Sequence, residues 1–355
     1  MDQSPPRTTS VTVADVAHEA GVSKATAARV LGGYGTVSER VRALVIAAAR
    51  SLDYRPNELA RSMTTGRSGT IGVVVGDIEN PFFSLAVRGI TDVARQAGFT
   101  VILINSGEDV TAEKAAIRTL LAKRVDGLIV SPSKESDVEH LGQATRSGVP
   151  LALLDRGGQA LDVDTVIADD RHAAERITRQ LIALGHNRIA YLTACDTPDH
   201  VFHTLTDINT GSVRRRIEGF LRAGKEAGLP AMSDWVRVGA TTPEATHGIV
   251  TTLLRAEERP TAIIASDSVI GLEVFKTCRS IGVAIPDDLS LVSFHDADWT
   301  AVTSPPVTVV RQPVYQLGET AARLLVERLN GKSAEARKVV LKTEIVERAS
   351  VKGLS

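Results

Sequence analysis

The chain has 355 residues, 43% hydrophobic and 23% charged, with a formal net charge of −1 and two cysteines, Cys195 and Cys278. That length supports two or three domains with sizeable cores, and two cysteines offer no disulfide framework and fit a reducing compartment. No charged-then-apolar leader and no membrane-length apolar run is present, so a cytoplasmic protein without membrane contact is expected.

The near-zero charge conceals an asymmetry: nine Lys/Arg stand against six Asp/Glu up to Ser68, and 32 against 36 after it. The modest basic excess therefore sits at the N-terminal end, where phosphates would be met. Met1–Ser10 is a polar, proline-containing tail, expected to be disordered. Val13, Val16, Ala17 and Ala20 then recur at i, i+3, i+4 and i+7, one apolar helix face. Thr12 stands as its N-cap, with Asp15 placed to return the capping bond, and Gly21 supplies a left-handed residue to end it. After a turn of only Gly21-Val22-Ser23, Ser23 caps a second helix running to about Leu31. Two short helices joined by a tight glycine turn make a helix-turn-helix pattern. In the second helix Ala27 and Val30 can pack inward, while Ala25 and Arg29 share the opposite face, with Lys24 at the helix start. A long cation and a methyl group aimed into a major groove can read a guanine edge and a thymine methyl. Ser38 caps a third helix, whose Val41, Leu44, Val45, Ala48 and Leu52 close a small three-helix core.

Next, Tyr54-Arg55-Pro56-Asn57 leads into Glu58-Leu59-Ala60-Arg61-Ser62-Met63. Pro56 breaks the third helix and suits the first turn of a new one, which is too short to be stable alone in water. The ordered motifs TVADVAHEAGVS, RVL, TVSERVR, YRPNELARSM and IGVVVGDIENPFF closely resemble the lactose-repressor/galactose-repressor (LacI) family of transcription regulators, and the resemblance continues to about residue 347. It implies a homodimer that places two heads on a pseudo-palindromic double-stranded DNA site. The DNA contacts expected on the head are Thr12, Ser23 and Ser38 at the caps, and Lys24, Ala25, Thr26 and Arg29 on the second helix. Those expected at the hinge are Tyr54, Asn57, Ala60 and Met63, the last as an apolar wedge in the minor groove where relatives usually carry leucine. Residues 11–53 read as the DNA-binding domain and 54–69 as the hinge helix and linker.

From Thr70 onward strand and helix patterns alternate, the signature of a parallel sheet with crossover helices. Ile71–Val75 is a continuous apolar run, as expected of a strand buried on both faces. Val101–Ile104, Gly127–Val130, Leu151–Leu154, Ile189–Leu192, Ala262–Ala265 and Ser290–Phe294 repeat the pattern, and Val339–Ile345 is a last strand-like run. Between them lie helical patterns such as Leu85–Ala97, Glu113–Lys123, Ala173–Leu184 and Ser212–Ala227. These are too many units for one lobe, so the fold class is α/β: a helix-turn-helix head, a hinge helix, and two doubly wound lobes like those of periplasmic sugar-binding proteins, over 70–350. Crossings near Ala168, Val309 and Lys332 give an N-lobe of about 70–168 and 310–332 and a C-lobe of about 169–309 and 333–350.

A ligand should lie between the lobes, outside the carboxyl ends of the strands. That rule nominates Asp77, Asn80, Phe82 and Phe83 after the first run, Asp155-Arg156 and Ser266-Asp267 after two others, and His295-Asp296 after Ser290–Phe294. The resemblance implies effector contacts at Phe82, Phe83, Asp155, Arg216, Ser266, His295 and Gln312, with Arg216 placed by Arg216-Ile217-Glu218-Gly219-Phe220. Carboxylate, guanidinium and amide groups with aromatic rings suit a sugar. Two departures from the family stand out. His295 replaces a usual aspartate, and Cys195–Gly211 reads about ten residues longer than usual.

Plainer roles compete at several positions. Asp77, Asp170 and Asp267 can simply cap helices, one of Phe82 and Phe83 can be core, and Arg214 and Arg215 read as a solvated face. His186 reads as a helix C-cap partner, and Cys195, His200 and His203 read as a polar loop, not a metal site. No G-x-G-x-x-G follows a strand and no P-loop motif occurs, so neither an enzyme nor a cofactor is expected. A sugar-binding protein without DNA activity would leave residues 11–63 unexplained. The reading is a repressor of a catabolic operon, controlled by a small sugar-like effector.

Overall fold

The computed structural model describes residues 11–32, 35–54, 66–157, 161–332 and 335–354. It falls into two compact units that divide at Gly69–Thr70. In the first, α1 (Val13–Glu19), α2 (Lys24–Gly32) and α3 (Glu39–Ser51) follow one another. Thr12 Oγ1 accepts from the Asp15 amide, and Asp15 Oδ2 accepts from the Thr12 amide at 2.7 Å, a reciprocal capping box. Gly21 takes φ +64°, the left-handed turn that lets Val22 donate back to the Ala17 carbonyl. Ser23 Oγ accepts from the Thr26 amide and caps α2. Val16, Ala17, Ala27, Val30, Val45 and Ala48 form the core, with Val41, Leu52 and Tyr54 against it. Leu44 departs from the expected face: it is 47% exposed, because Val45 fills the centre in its place. Ser38 holds the N-cap position of α3 without a side-chain capping bond. The expected hinge helix, with Asn57, Ala60 and Met63, lies outside the described residues.

The second unit holds two six-stranded sheets. In the N-lobe β1 (Thr70–Val75), β2 (Thr100–Asn105), β3 (Gly127–Val130), β4 (Leu151–Leu154) and β5 (Asp164–Ala168) run parallel in the order 2-1-3-4-5. In the C-lobe β6 (Ile189–Leu192), β7 (Val236–Arg237), β8 (Ala262–Ala265), β9 (Ser290–Phe294) and β10 (Thr308–Arg311) repeat that order. The helices that matter for the cleft are α4 (Pro81–Gln96), α7 (Asp170–Ala183), α8 (Gly211–Glu226), α10 (Ser268–Ile281) and α12 (Val314–Leu329). Helix α4 packs on α12 nearly backbone to backbone: a Cβ on Gly318 would lie 1.9 Å from the Ala86 carbonyl oxygen.

The chain crosses between lobes after β5, after β10 and a third time later than expected. Residues 338–341 do not belong to the C-lobe, because β11 (Lys338–Leu341) pairs in parallel with β5 and completes the N-lobe sheet. β12 (Glu344–Val346) then runs antiparallel to β10 in the C-lobe. The run Val339–Ile345, read as one strand, is therefore two, and the crossing falls at Lys342–Thr343, ten residues after Lys332. Its partner is the first crossing: Asp169 donates its amide to the Leu341 carbonyl, and Asp169 Oδ1 accepts from the Thr343 amide. Among the described residues no helix is long and apolar enough to cross a membrane.

Candidate functional site

Both sheets direct their strand ends at a shared cleft of about 640 Å³. Asp77, Asn80, Phe82, Phe83, Asp155, Arg216, Ser266, His295 and Gln312 all line it. Their positions follow from the two repeated sheets, since a change of strand order opens a crevice at the carboxyl ends. Asn80 also caps α4, its Oδ1 accepting from the Phe82 amide at 3.0 Å. That cap turns Phe82 and Phe83 inward, where both are core and cleft wall at once, edge to face at 5.3 Å. Asp77 Oδ1 accepts from the Glu79 amide, and Asp267 caps α10 through the Val269 and Ile270 amides.

Arg216 anchors the C-lobe wall. Its motif is explained by packing: Gly219 lets α8 approach α7, where a Cβ would lie 2.1 Å from the Arg171 carbonyl oxygen, and Phe220 is fully buried against Tyr191. Arg216 is 6% exposed; its Nε donates to Asp170 Oδ1 at 2.8 Å and its Nη1 to the Ser266 carbonyl at 2.7 Å. The guanidinium carbon sits 4.5 Å from the Phe294 ring centroid. Asp170 is thus the counter-ion of Arg216, not a helix cap, and burial pushes its carboxyl up against the pull of Arg216.

The N-lobe wall carries Asp155 at φ +63°, a left-handed position just past β4. Its Oδ2 accepts from Ser212 Oγ of the C-lobe at 3.0 Å. Arg156 turns the other way, bidentate to Glu108 at 2.5 and 2.9 Å, and lies 5.6 Å from the Phe83 ring centroid. Across the cleft His295 has φ +68° and only 5% exposure, with Phe82 edge-on at 6.2 Å. Burial pulls its imidazole down to about 4, so the ring is neutral at physiological pH.

Several lining residues were not singled out from the sequence: Glu108, Ser133, Lys134, Thr193, Asn209 and Ser212. Arg156, nominated with Asp155 at a strand end, lines the cleft too; Ser212 lies in the first turn of α8, and the others sit on loops without a motif. Cys195, Asp196, Asn209 and Thr210 bring the long Cys195–Gly211 segment into the wall, while its Phe202 and Ile208 anchor it in the C-lobe core. His200 and His203 pair with Asp196 and Asp199, and among the described residues no cluster of side chains could hold a metal. His186 does more than end a helix: its ring joins Thr261 Oγ1 at 2.9 Å to the Lys352 carbonyl at 3.0 Å. Arg214 and Arg215 are no solvated face, for both reach Glu135 of the N-lobe.

On the head Ser23, Lys24, Ala25 and Arg29 are exposed along one side of α2, and Thr26 is partly so. Thr12 and Ser38 are exposed at the starts of α1 and α3, while Tyr54 is half-buried against the head core.

Residues 12–57 match the bacterial regulatory proteins of the lacI family, and residues 68–349 match the periplasmic binding proteins and sugar binding domain of the LacI family. The chain belongs to the LacI family. Among its relatives in the LacI family is the HTH-type transcriptional repressor PurR of Photobacterium profundum, 31% identical over 97% of this chain and 99% of that one. Catabolite control protein A of Priestia megaterium is 32% identical over 96% and 99%. Among solved LacI-family structures, the lac repressor dimer bound to operator and the anti-inducer ONPF is 26% identical, covering 97% of this chain and 99% of that one, with a TM-score of 0.83. A complex of the transcriptional regulator CelR with cellobiose is 26% identical, covering 96% and 99%, with a TM-score of 0.69.

Proposed function

We propose that this chain is a dimeric repressor of a catabolic operon that reads a pseudo-palindromic DNA site with α2 and senses a sugar or sugar derivative in the cleft. One observation carries the reading: a single chain joins an exposed basic helix in a helix-turn-helix head to a cleft walled by both lobes. The cleft chemistry supports a polyhydroxylated ligand, since Asp155, Gln312 and Arg216 offer acceptors and donors beside the Phe82 and Phe83 rings. Lac repressor bound to operator and CelR bound to cellobiose are consistent precedents.

An effector bound to both walls favours the closed arrangement only by its differential affinity for it. Closure rotates the lobes about the three crossings and changes the spacing of the two heads. Met63 of each hinge then enters or leaves the minor groove.

A thermal-shift screen of sugars, polyols and nucleosides tests this. A ligand at 100-fold its Kd adds about 2.7 kcal/mol of stability, and the same ligand must alter retention of the operator in a gel-shift assay. A ligand that stabilises the protein without changing DNA affinity would overturn the sensing role. Stabilisation by nucleosides alone would replace the sugar with a base-bearing effector.

A further inference from the structure

Glu135 lies on the loop after β3, in the N-lobe, yet most of what surrounds it comes from the C-lobe. It is 8% exposed. Its Oε2 accepts from Arg214 Nη2 at 2.5 Å and its Oε1 from Arg215 Nη1 at 3.4 Å. The amide of Gly157, on its own lobe, donates to Oε1 at 2.9 Å, and the amide of Glu135 donates across to the Asn209 carbonyl. The carboxylate rests on the first turn of α8: a Cβ on Gly211 would lie 1.7 Å from Oε1. A helix N-terminus, two guanidinium groups and an amide thus converge on one buried anion. Arg214 is held in turn by the Ile208 carbonyl, and Arg215 by the Asp155 carbonyl.

Helix α8 also carries Ser212 and Arg216 into the effector cleft, whereas Glu135 itself does not line it. We infer that Glu135 is a positioning residue: it clasps the first turn of α8 to the N-lobe and so holds the cleft walls at their binding separation. Every group in the clasp belongs to the protein, so its contribution to closure does not depend on the effector. A buried carboxylate with all its donors in place is favourable only while both lobes stay together, since parting them leaves Glu135 and two arginines to find water. The clasp therefore sets how far the closed arrangement is populated, and with it the apparent affinity of the cleft for any effector.

The inference deepens the sensing role proposed above, but its test needs no effector. In the full chain with Cys195→Ala and Cys278→Ala, spin labels are placed on exposed Gln143→Cys of the N-lobe and Lys225→Cys of α8. The protein is diluted with unlabelled chain so that only intrachain distances are read. Glu135→Gln is expected to shift the distance distribution to longer values. Gly211→Ala should do the same without any change of charge, because its methyl group occupies the carboxylate's place. Glu135→Arg should open the lobes further, and adding Arg214→Glu to it should restore the shorter distance. Circular dichroism melts establish that each variant is folded. Unchanged distances in folded Glu135→Gln and Gly211→Ala would overturn the clasp, as would a reversed pair no shorter than Glu135→Arg alone. A sugar screen without a hit would leave these distances standing, and unchanged distances would leave the DNA-binding role standing.

Discussion

Arg216 and Asp170 form a buried ion pair, 2.8 Å from Nε to Oδ1, at the point where α8 crosses the start of α7. The side chain of Asp170 is fully buried and that of Arg216 nearly so, so the pair is costly to break from one side. It faces the cleft while belonging to the C-lobe core, which ties the binding chemistry of the site to its stability.

Arg216→Ala leaves buried Asp170 with only the more distant Arg215, at 3.6 Å, and should destabilise the core by about 3 kcal/mol, the low end for a broken buried pair. It should also abolish the effector response, while operator affinity stays near wild type because the head is a separate unit. Asp170→Ala on the same background should recover part of the stability, a coupling that urea unfolding of the four proteins measures. Additive losses would show that the two side chains do not depend on each other.

His295 predicts a pH dependence. Its folded value of about 4 lies below the 6.5 of a free imidazole, so between those values the unfolded chain binds more protons than the native one. Stability is therefore lost as pH falls from 6.5 towards 4, by about 3 kcal/mol at the lower end, and the loss stops below it. His186, also pulled down by burial, adds a loss of the same sign. The difference between wild type and His295→Gln in urea unfolding, measured across that range, isolates the first histidine. A pH-independent difference would show that His295 is not held neutral.

Gly219→Ala would add a methyl group 2.1 Å from the Arg171 carbonyl oxygen. Alanine is the better helix former by about 1 kcal/mol, but overpacking a helix contact costs about 1–3 kcal/mol. A lowered melting temperature is expected, with a weaker effector response because Arg216 moves with α8. A raised melting temperature would mean that α7 and α8 separate freely.

Arg29→Ala removes the longest side chain on the exposed side of α2. It should cost about 1–3 kcal/mol per half-site and relax preference at one base pair. Fluorescence anisotropy with a permuted set of operators reads both effects. Unchanged binding to every operator would mean that α2 does not read the major groove through this residue.

Much of the fold is legible in the chain itself. Ile71–Val75, Leu151–Leu154 and Ala262–Ala265 announce strands because a strand covered on both faces must be apolar throughout, whatever surrounds it. Thr12, Gly21 and Ser23 announce the head because caps and left-handed turns are local chemistry, settled within four residues. Seven of the nine cleft positions follow from the same logic, since a strand end in a doubly wound sheet points to the crevice once the strand is placed, whereas Arg216 and Gln312 were indicated only by the family resemblance.

What local chemistry could not reveal is pairing over distance. Val339–Ile345 reads as one strand-like run, and only the partners β5 and β10 divide it between two sheets. Arg214 and Arg215 look like any exposed cationic pair until β3 brings Glu135 beside them. Asp170 looks like a cap until α8 brings Arg216 against it, and His295 looks like an ordinary imidazole until burial holds it neutral. By itself the sequence determined most of the strands and helices, though not β5, β7 or β10, because secondary structure depends largely on the period and chemistry of neighbouring residues. The tertiary structure alone decided which charges are partnered and which lobe each late strand joins, because those depend on groups tens to hundreds of residues apart.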